Sequence, residues 1–132
     1  MLDKPLSPTE AKQYSPLALA FFGDAVYELI VRQRLILSSN MQAGRLHSLA
    51  VSKVRASYQA MASKELEEHL TQEEECIFRR GRNANTNTVP KGVTTAQYHM
   101  ATGLEALFGY LYLIGDVGRI NELITLIWDL ED

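Results

Sequence analysis

Apolar residues along this chain recur at helical spacing, and hardly any segment alternates with period two, so the pattern predicts helices and no sheet. Ser15-Pro16 places an N-cap residue before a proline at the first helical position, where a missing N–H costs nothing. From there to about Leu37, Leu17, Leu19, Phe21, Phe22, Val26, Leu29, Ile30 and Leu35 come so densely that the helix must be largely buried. Ser38-Ser39-Asn40 breaks it. A second helix is expected over roughly Gln42 to Met61, with Leu46, Leu49, Val54 and Tyr58 on one face and basic residues opposite. Ser63 reads as the cap of a short acidic helix over 64–69. Thr71 with Glu74 three residues on is a capping-box pattern that opens another helix.

The stretch from Asn83 to Gly92 is a loop by its asparagines, threonines, proline and glycine. Thr94 or Thr95 caps a long helix to about Ile114, and Gly115 stops it. A last amphipathic helix runs from about Val117 to Leu130, turning Ile120, Leu123, Ile124, Ile127 and Trp128 inward. Residues 1–14 are polar with two prolines and read as an arm or short extended entry. The expectation is one all-α domain over residues 1–132, led by that arm.

Composition narrows the class. The chain has 132 residues, 46% apolar and 22% charged, enough for a real core in an ordinary globular protein. No run of 18 apolar residues and no leader-like apolar stretch appears, so neither a membrane span nor a secreted protein is expected. A lone cysteine, Cys76, cannot close an internal disulfide; it suits a reducing cytoplasm and reads as a packed residue. A net charge of −3 argues mildly against a nucleic-acid binder, but the charge is uneven. Six glutamates fill Glu65 to Glu75, whereas Arg79 to Thr95 holds Arg79, Arg80, Arg82 and Lys91 with no acid. A local basic stripe can still meet phosphate.

Two carboxylates are out of place. Asp24 sits mid-helix in Phe21-Phe22-Gly23-Asp24-Ala25-Val26, although aspartate is a poor interior helix residue and Gly23 costs roughly another 1 kcal/mol relative to alanine. Glu105 repeats the anomaly in Thr102-Gly103-Leu104-Glu105-Ala106-Leu107-Phe108-Gly109. If the two helices pack side by side, the acids meet, and a divalent cation such as Mg²⁺ relieves their repulsion with one or two carboxylates and several waters. That is the minimum equipment for metal-assisted phosphodiester hydrolysis. The competing reading puts Asp24 on a narrow exposed stripe with Tyr27, Glu28 and Arg32. Glu28 reads better as a surface partner of Arg32 than as a third acid of the site.

The basic stretch Arg79-Arg80-Gly81-Arg82-Asn83-Ala84-Asn85, running on to Lys91, is either a solvated face or an RNA contact. Arginine forks match phosphate oxygens, and loop asparagines can reach 2′-hydroxyls and minor-groove edges. His47, His69 and His99 have no metal-ligand spacing with one another or with Cys76. Tyr110 and Tyr112 read as core. No phosphate-cradling glycine loop or nucleophile elbow is present.

These features stand in the order of a known family. Leu-Ala-Phe-Phe-Gly-Asp-Ala-Val (19–26) resembles the signature helix of ribonuclease III, and Glu105-Ala-Leu-Phe-Gly resembles its second acidic helix. Gly-Asp-Ala-Val-Tyr-Glu (23–28), Arg-Arg-Gly-Arg-Asn-Ala (79–84) and the Glu-Ala-Leu…Gly-Tyr-Leu-Tyr segment (105–112) are similar to the Mini-ribonuclease III branch. The resemblance spans nearly the whole chain. It implies a helical ribonuclease III catalytic domain, homodimeric, Mg²⁺-dependent, and cleaving both strands of an RNA duplex. Asp24 and Glu105 match the family's catalytic and metal-binding acids. Arg79, Arg80, Arg82, Asn83, Asn85 and Lys91 are the expected RNA contacts, and Phe21 falls at the expected dimer interface.

The branch's usual substrate is precursor 23S ribosomal RNA, matured in the cytoplasm. Substrate choice then rests on RNA shape or on a large-subunit ribosomal protein already bound. Further family acids are replaced by Leu17, Ala20 and Thr102, and another near Ala43, so Asp24 and Glu105 carry most of the expected burden. The thinned set also leaves room for a non-catalytic RNA-binding or ribosome-assembly module on the same fold. An unrelated helical phosphohydrolase is disfavoured, because the sequence has no His-Asp pair and no repeated Glu-x-x-Glu.

Overall fold

The computed structural model describes residues 3–84 and 88–131. Among them the chain is all-helical: α1 (Pro8–Lys12), α2 (Pro16–Ser38), α3 (Ala43–Val54), α4 (Ala56–Leu66), a 3-10 turn (Glu67–His69), α5 (Gln72–Arg82), α6 (Thr95–Leu113) and α7 (Val117–Ile127). Among the described residues no helix is long and apolar enough to cross a membrane.

Helix starts follow local chemistry. The Ser15 hydroxyl accepts the Ala18 N–H at 3.1 Å, with Pro16 next in line. Thr71 and Glu74 form the full capping box at the head of α5, and Thr94, not Thr95, does the same with Gln97 for α6. Each cap satisfies backbone donors that a helix start leaves orphaned. Gly115 ends the α6 segment at φ +77°, a conformation open to glycine at little cost.

Four expectations need correction. The arm is not extended: Ser7 and Glu10 cap a short helix, Ala11 is buried, and the Leu6 N–H donates to the Leu113 carbonyl at 2.8 Å. The single helix expected over Gln42 to Met61 is two, because Arg55 is extended (φ −65°, ψ 151°) and breaks the ladder between α3 and α4. No proline or glycine marks that break, so periodicity runs through it unnoticed. Ser63 does not cap an acidic helix; it is buried inside α4, its hydroxyl donating to Gln59 O at 2.7 Å and Met100 O at 3.3 Å. The acidic stretch beyond is a single 3-10 turn. The last helix also stops earlier, at Ile127, where the Tyr58 hydroxyl and the Lys53 ammonium donate to the carbonyls of Ile127 and Trp128.

α6 is the hub, packed by α2, α5, α4, α7 and α1. From Ala101 to Leu111 every residue except Glu105 is buried. Tyr27 of α2 packs its ring 5.4 Å from that of Phe108, and its hydroxyl donates to Lys53 O at 2.7 Å. Tyr110 is core as expected, while Tyr112 is only half-buried against Phe22.

Candidate active site

The crossing of α2 and α6 brings the two anomalous carboxylates together. A Cβ on Gly23 would lie 1.6 Å from the carbonyl oxygen of Glu105, and one on Gly109 would lie 2.3 Å from that of Leu19. Gly23 meets the Glu105 turn and Gly109 the Leu19 turn, so the helices run antiparallel, backbone against backbone. Only glycine allows that approach. Asp24, one residue after Gly23, is thereby set beside Glu105.

The two acids are not equivalent. Asp24 is exposed, contrary to the premise that its helix buries it, and Glu105 is the part-buried member. Burial pushes the Glu105 carboxyl up to about 8, and the hydrogen bond and charge of Asp24 push the same way. The Gln59 amide opposes this by hydrogen bonding to the charged form. Two oxygens that share a proton at neutral pH are a hard donor set matched to a hard divalent cation, which would replace the proton. Among the described residues no cluster of three or more His, Cys, Asp or Glu forms, so the protein offers this pair alone. Glu28 pairs with Arg32 at 3.2 Å along the helix surface, as its spacing suggests.

Where the wider family's acids are missing, the replacements are inert. Thr102 is buried with its hydroxyl donating to Tyr98 O at 2.9 Å, Ala20 is buried, and Leu17 and Ala43 are exposed. Tyr27, which the competing reading puts on an exposed stripe with Asp24, is instead buried; that burial first, then Tyr58 and Glu105, raise its hydroxyl above the ordinary tyrosine range. Gln59 is a neighbour that the sequence does not single out: it is 3% exposed, yet lies on a segment whose local pattern gives no hint of burial.

The basic stretch reaches the same turn of α6 from another side. At Gly81 a Cβ would sit 2.8 Å from Ala106 Cβ and 3.1 Å from Thr102 O, so the end of α5 crosses α6 at the turn that carries Glu105. The arginines differ in their engagements. Arg79 is bridged to Glu75 at 2.8 Å, and Arg80 donates to the carbonyls of Lys12 and Tyr14, both at 3.3 Å. Arg82 lies 5.9 Å over the Phe78 ring with its Nε donating to Asn83 Oδ1 at 3.4 Å; Asn83 and Lys91 are exposed. Asn85 lies outside the described residues. Phe21 is 84% exposed, with Leu17, Leu29 and Ile36 of the same helix also open to solvent.

Known proteins resemble this chain in sequence and in fold. Residues 17–116 match the family model of the ribonuclease III domain, from the start of α2 to the N-cap of α7. A Mini-ribonuclease 3 from Thermoanaerobacter sp. is 46% identical over 112 residues, covering 85% of this chain and 79% of the relative. One from Synechococcus sp. is 48% identical over 122 residues, covering 92% and 86%. The crystal structure of a Fusobacterium nucleatum protein superposes with a TM-score of 0.80 at 34% identity, covering 88% of this chain and 94% of that one. The chain belongs to the ribonuclease III family of endoribonucleases, in its Mini-ribonuclease III branch.

Proposed function

We propose that this protein cuts double-stranded RNA with Mg²⁺ as its cofactor, held by Asp24 and Glu105, and that its substrate is precursor 23S ribosomal RNA in the cytoplasm. The observation that carries the reading is the pair itself: two carboxyls set side by side by glycine-to-backbone contact, one of them raised to about 8 and so still protonated at neutral pH. A bound divalent cation supplies charge stabilisation for the phosphodiester and activation of the attacking water. Asp24, open to solvent, is the side from which RNA phosphate arrives. Glu105, shielded from bulk water, keeps its oxygen in a fixed place because the α2–α6 contact leaves its backbone no room to move.

For phosphate and 2′-hydroxyl contact the reading assigns Arg82, Asn83 and Lys91, with Asn85 added from the sequence alone. Arg79 and Arg80 contribute field, but each is already tied to a partner within the chain. The apolar stripe of Leu17, Phe21, Leu29 and Ile36 supports a homodimer, since burying a phenylalanine side chain is worth roughly 1.5–3 kcal/mol. A modest basic surface leaves substrate selection to RNA shape or to a large-subunit ribosomal protein already on the RNA.

The test is Asp24→Asn against wild type on a long RNA duplex with MgCl₂. Cleavage should fall by on the order of a thousandfold or more, the loss of several kcal/mol of charge stabilisation. The gel shift on the same duplex should survive, and it should weaken as salt rises. Undiminished cleavage by Asp24→Asn would sink the assignment.

A further inference from the structure

Among the described residues Gln59 is the buried amide beside the carboxylate pair, and half of it is idle. It stands at 3% exposure on α4, its Nε2 donating at 2.8 Å to the Val54 carbonyl that the break at Arg55 leaves free. Its Oε1 is buried with no hydrogen-bond donor. One turn along, the Ser63 hydroxyl reaches Met100 O at 3.3 Å, and these two pairings, Ser63 with Met100 and Gln59 with Glu105, run α4 antiparallel to α6. The amide there lies against the Glu105 carboxyl and favours its charged form.

A buried amide oxygen without a donor costs about 1–3 kcal/mol and persists where something outside the protein satisfies it. Oε1 and Nε2 share one carbon atom, so the idle acceptor is within the same small region as the Glu105 oxygens. A water held at the carboxylate pair is a donor of the right size and chemistry.

We propose that Gln59 is a positioning residue of the active site: its Nε2, anchored on Val54 O, orients the Glu105 carboxylate for the cation, and its Oε1 accepts a hydrogen from a water of the cation's shell. The role rests on the reading of Asp24 and Glu105 as the cation site. Losing an outer-shell partner of a metal ligand lowers metal affinity by roughly 10–100-fold. Leaving the liganding acids in place, it should spare the chemical step far more than loss of Asp24 does.

Gln59→Met keeps the length and bulk of the side chain and removes both polar ends. Ser63→Ala removes a buried hydroxyl from the same α4–α6 contact without touching Glu105, and serves as the structural control. Two titrations are read on each protein: the MnCl₂ concentration that half-saturates a thermal shift without RNA, and the MgCl₂ concentration for half-maximal cleavage.

Gln59→Met should raise both midpoints by about tenfold or more, with the rate at saturating cation staying near wild type. Ser63→Ala should leave both midpoints unmoved while lowering the melting temperature. Wild-type midpoints in Gln59→Met, or an equal shift in Ser63→Ala, overturn the inference. Should Gln59→Met fail to fold, Gln59→Asn, which retracts the amide by one methylene, takes its place: raised midpoints support the role and wild-type midpoints overturn it. A wild-type protein with no response to either cation overturns the cation site and this role together, whereas an unmoved Gln59→Met overturns the role of Gln59 alone.

Discussion

Glu74, buried, and Glu105, part-buried, are the same side chain, and the protein treats them oppositely. Burial works against the charge of both. Glu74, at the head of α5, is met by Arg119 of α7 with two bonds of 2.9 Å and by the Thr71 cap, and these hold its carboxyl below the usual range. Arg119 is completed by Glu122 at 3.0 Å and the His69 carbonyl at 2.6 Å. Among the described residues Glu105 meets no such cation: its charged neighbour is Asp24, and its proton stays on at neutral pH. One glutamate is a finished structural joint. The other is left short of a positive charge, and that shortage marks a site awaiting a cation.

The contrast breaks most completely at Gly23. Gly23→Ala places a methyl against the Glu105 carbonyl, which is backbone and cannot swing away, so α2 must lift from α6. We expect a loss of stability on the order of 3 kcal/mol, at the upper end of overpacking costs, together with loss of cleavage. Thermal melting and a duplex-cleavage assay on the folded fraction read the two effects. A variant with wild-type melting and activity would show that the close approach is not needed to set the pair.

Breaking the other joint should cost stability and spare the chemistry. Arg119→Met leaves Glu74 buried without its partner, worth about 3 kcal/mol by the cost of halving a buried ion pair. The sign with pH is fixed by the lowered Glu74 carboxyl: the stabilisation is present above the ordinary carboxylate value and is lost as pH falls through the lower folded-state value. The deficit of Arg119→Met in urea melts should therefore be full at neutral pH and shrink on acidification. Cleavage per folded molecule should match wild type, and a specific loss of turnover would erase the distinction drawn between the two glutamates.

How much of this is legible in the chain follows from what each feature depends on. Asp24 and Glu105 are visible as carboxylates in glycine-bearing apolar helices, because a local violation of helix preference needs no tertiary information. Caps at Ser15, Thr71 and Thr94 are likewise written within four residues. What stays hidden depends on pairs of elements. The extended Arg55 has no breaker beside it, and the burial of Gln59 and Ser63 exists only because α4 lies on α6. Which acid of the pair is buried is not legible either, since hydropathy around Asp24 and Glu105 is equally apolar. The arginines of α5 look alike in sequence; only the fold separates Arg80, tied to the α1–α2 junction, from Arg82 at its end.

The finest form of the comparison removes the misfit charge and leaves the fold alone. A folded Glu105 carboxyl holds its proton up to about pH 8, whereas the unfolded chain releases it near the ordinary value of 4.5. Between those values the folded state binds more protons, so this group makes stability fall as pH rises through the window, and the fall ends above about 8. Glu105→Gln keeps the shape and never charges. In EDTA at about pH 8.5 it should be more stable than wild type by about 2 kcal/mol, less than the full shift implies because part of the carboxyl still meets water. Near pH 4.5, the ordinary value, the advantage should nearly vanish. Adding MgCl₂ at the alkaline pH should then stabilise wild type and leave Glu105→Gln almost unmoved, since a cation can compensate only a carboxylate that is there. Urea melts at the two pH values, with and without the salt, decide it: parallel profiles for the two proteins would mean that Glu105 is as settled as Glu74, and that the missing positive charge is not what distinguishes the site.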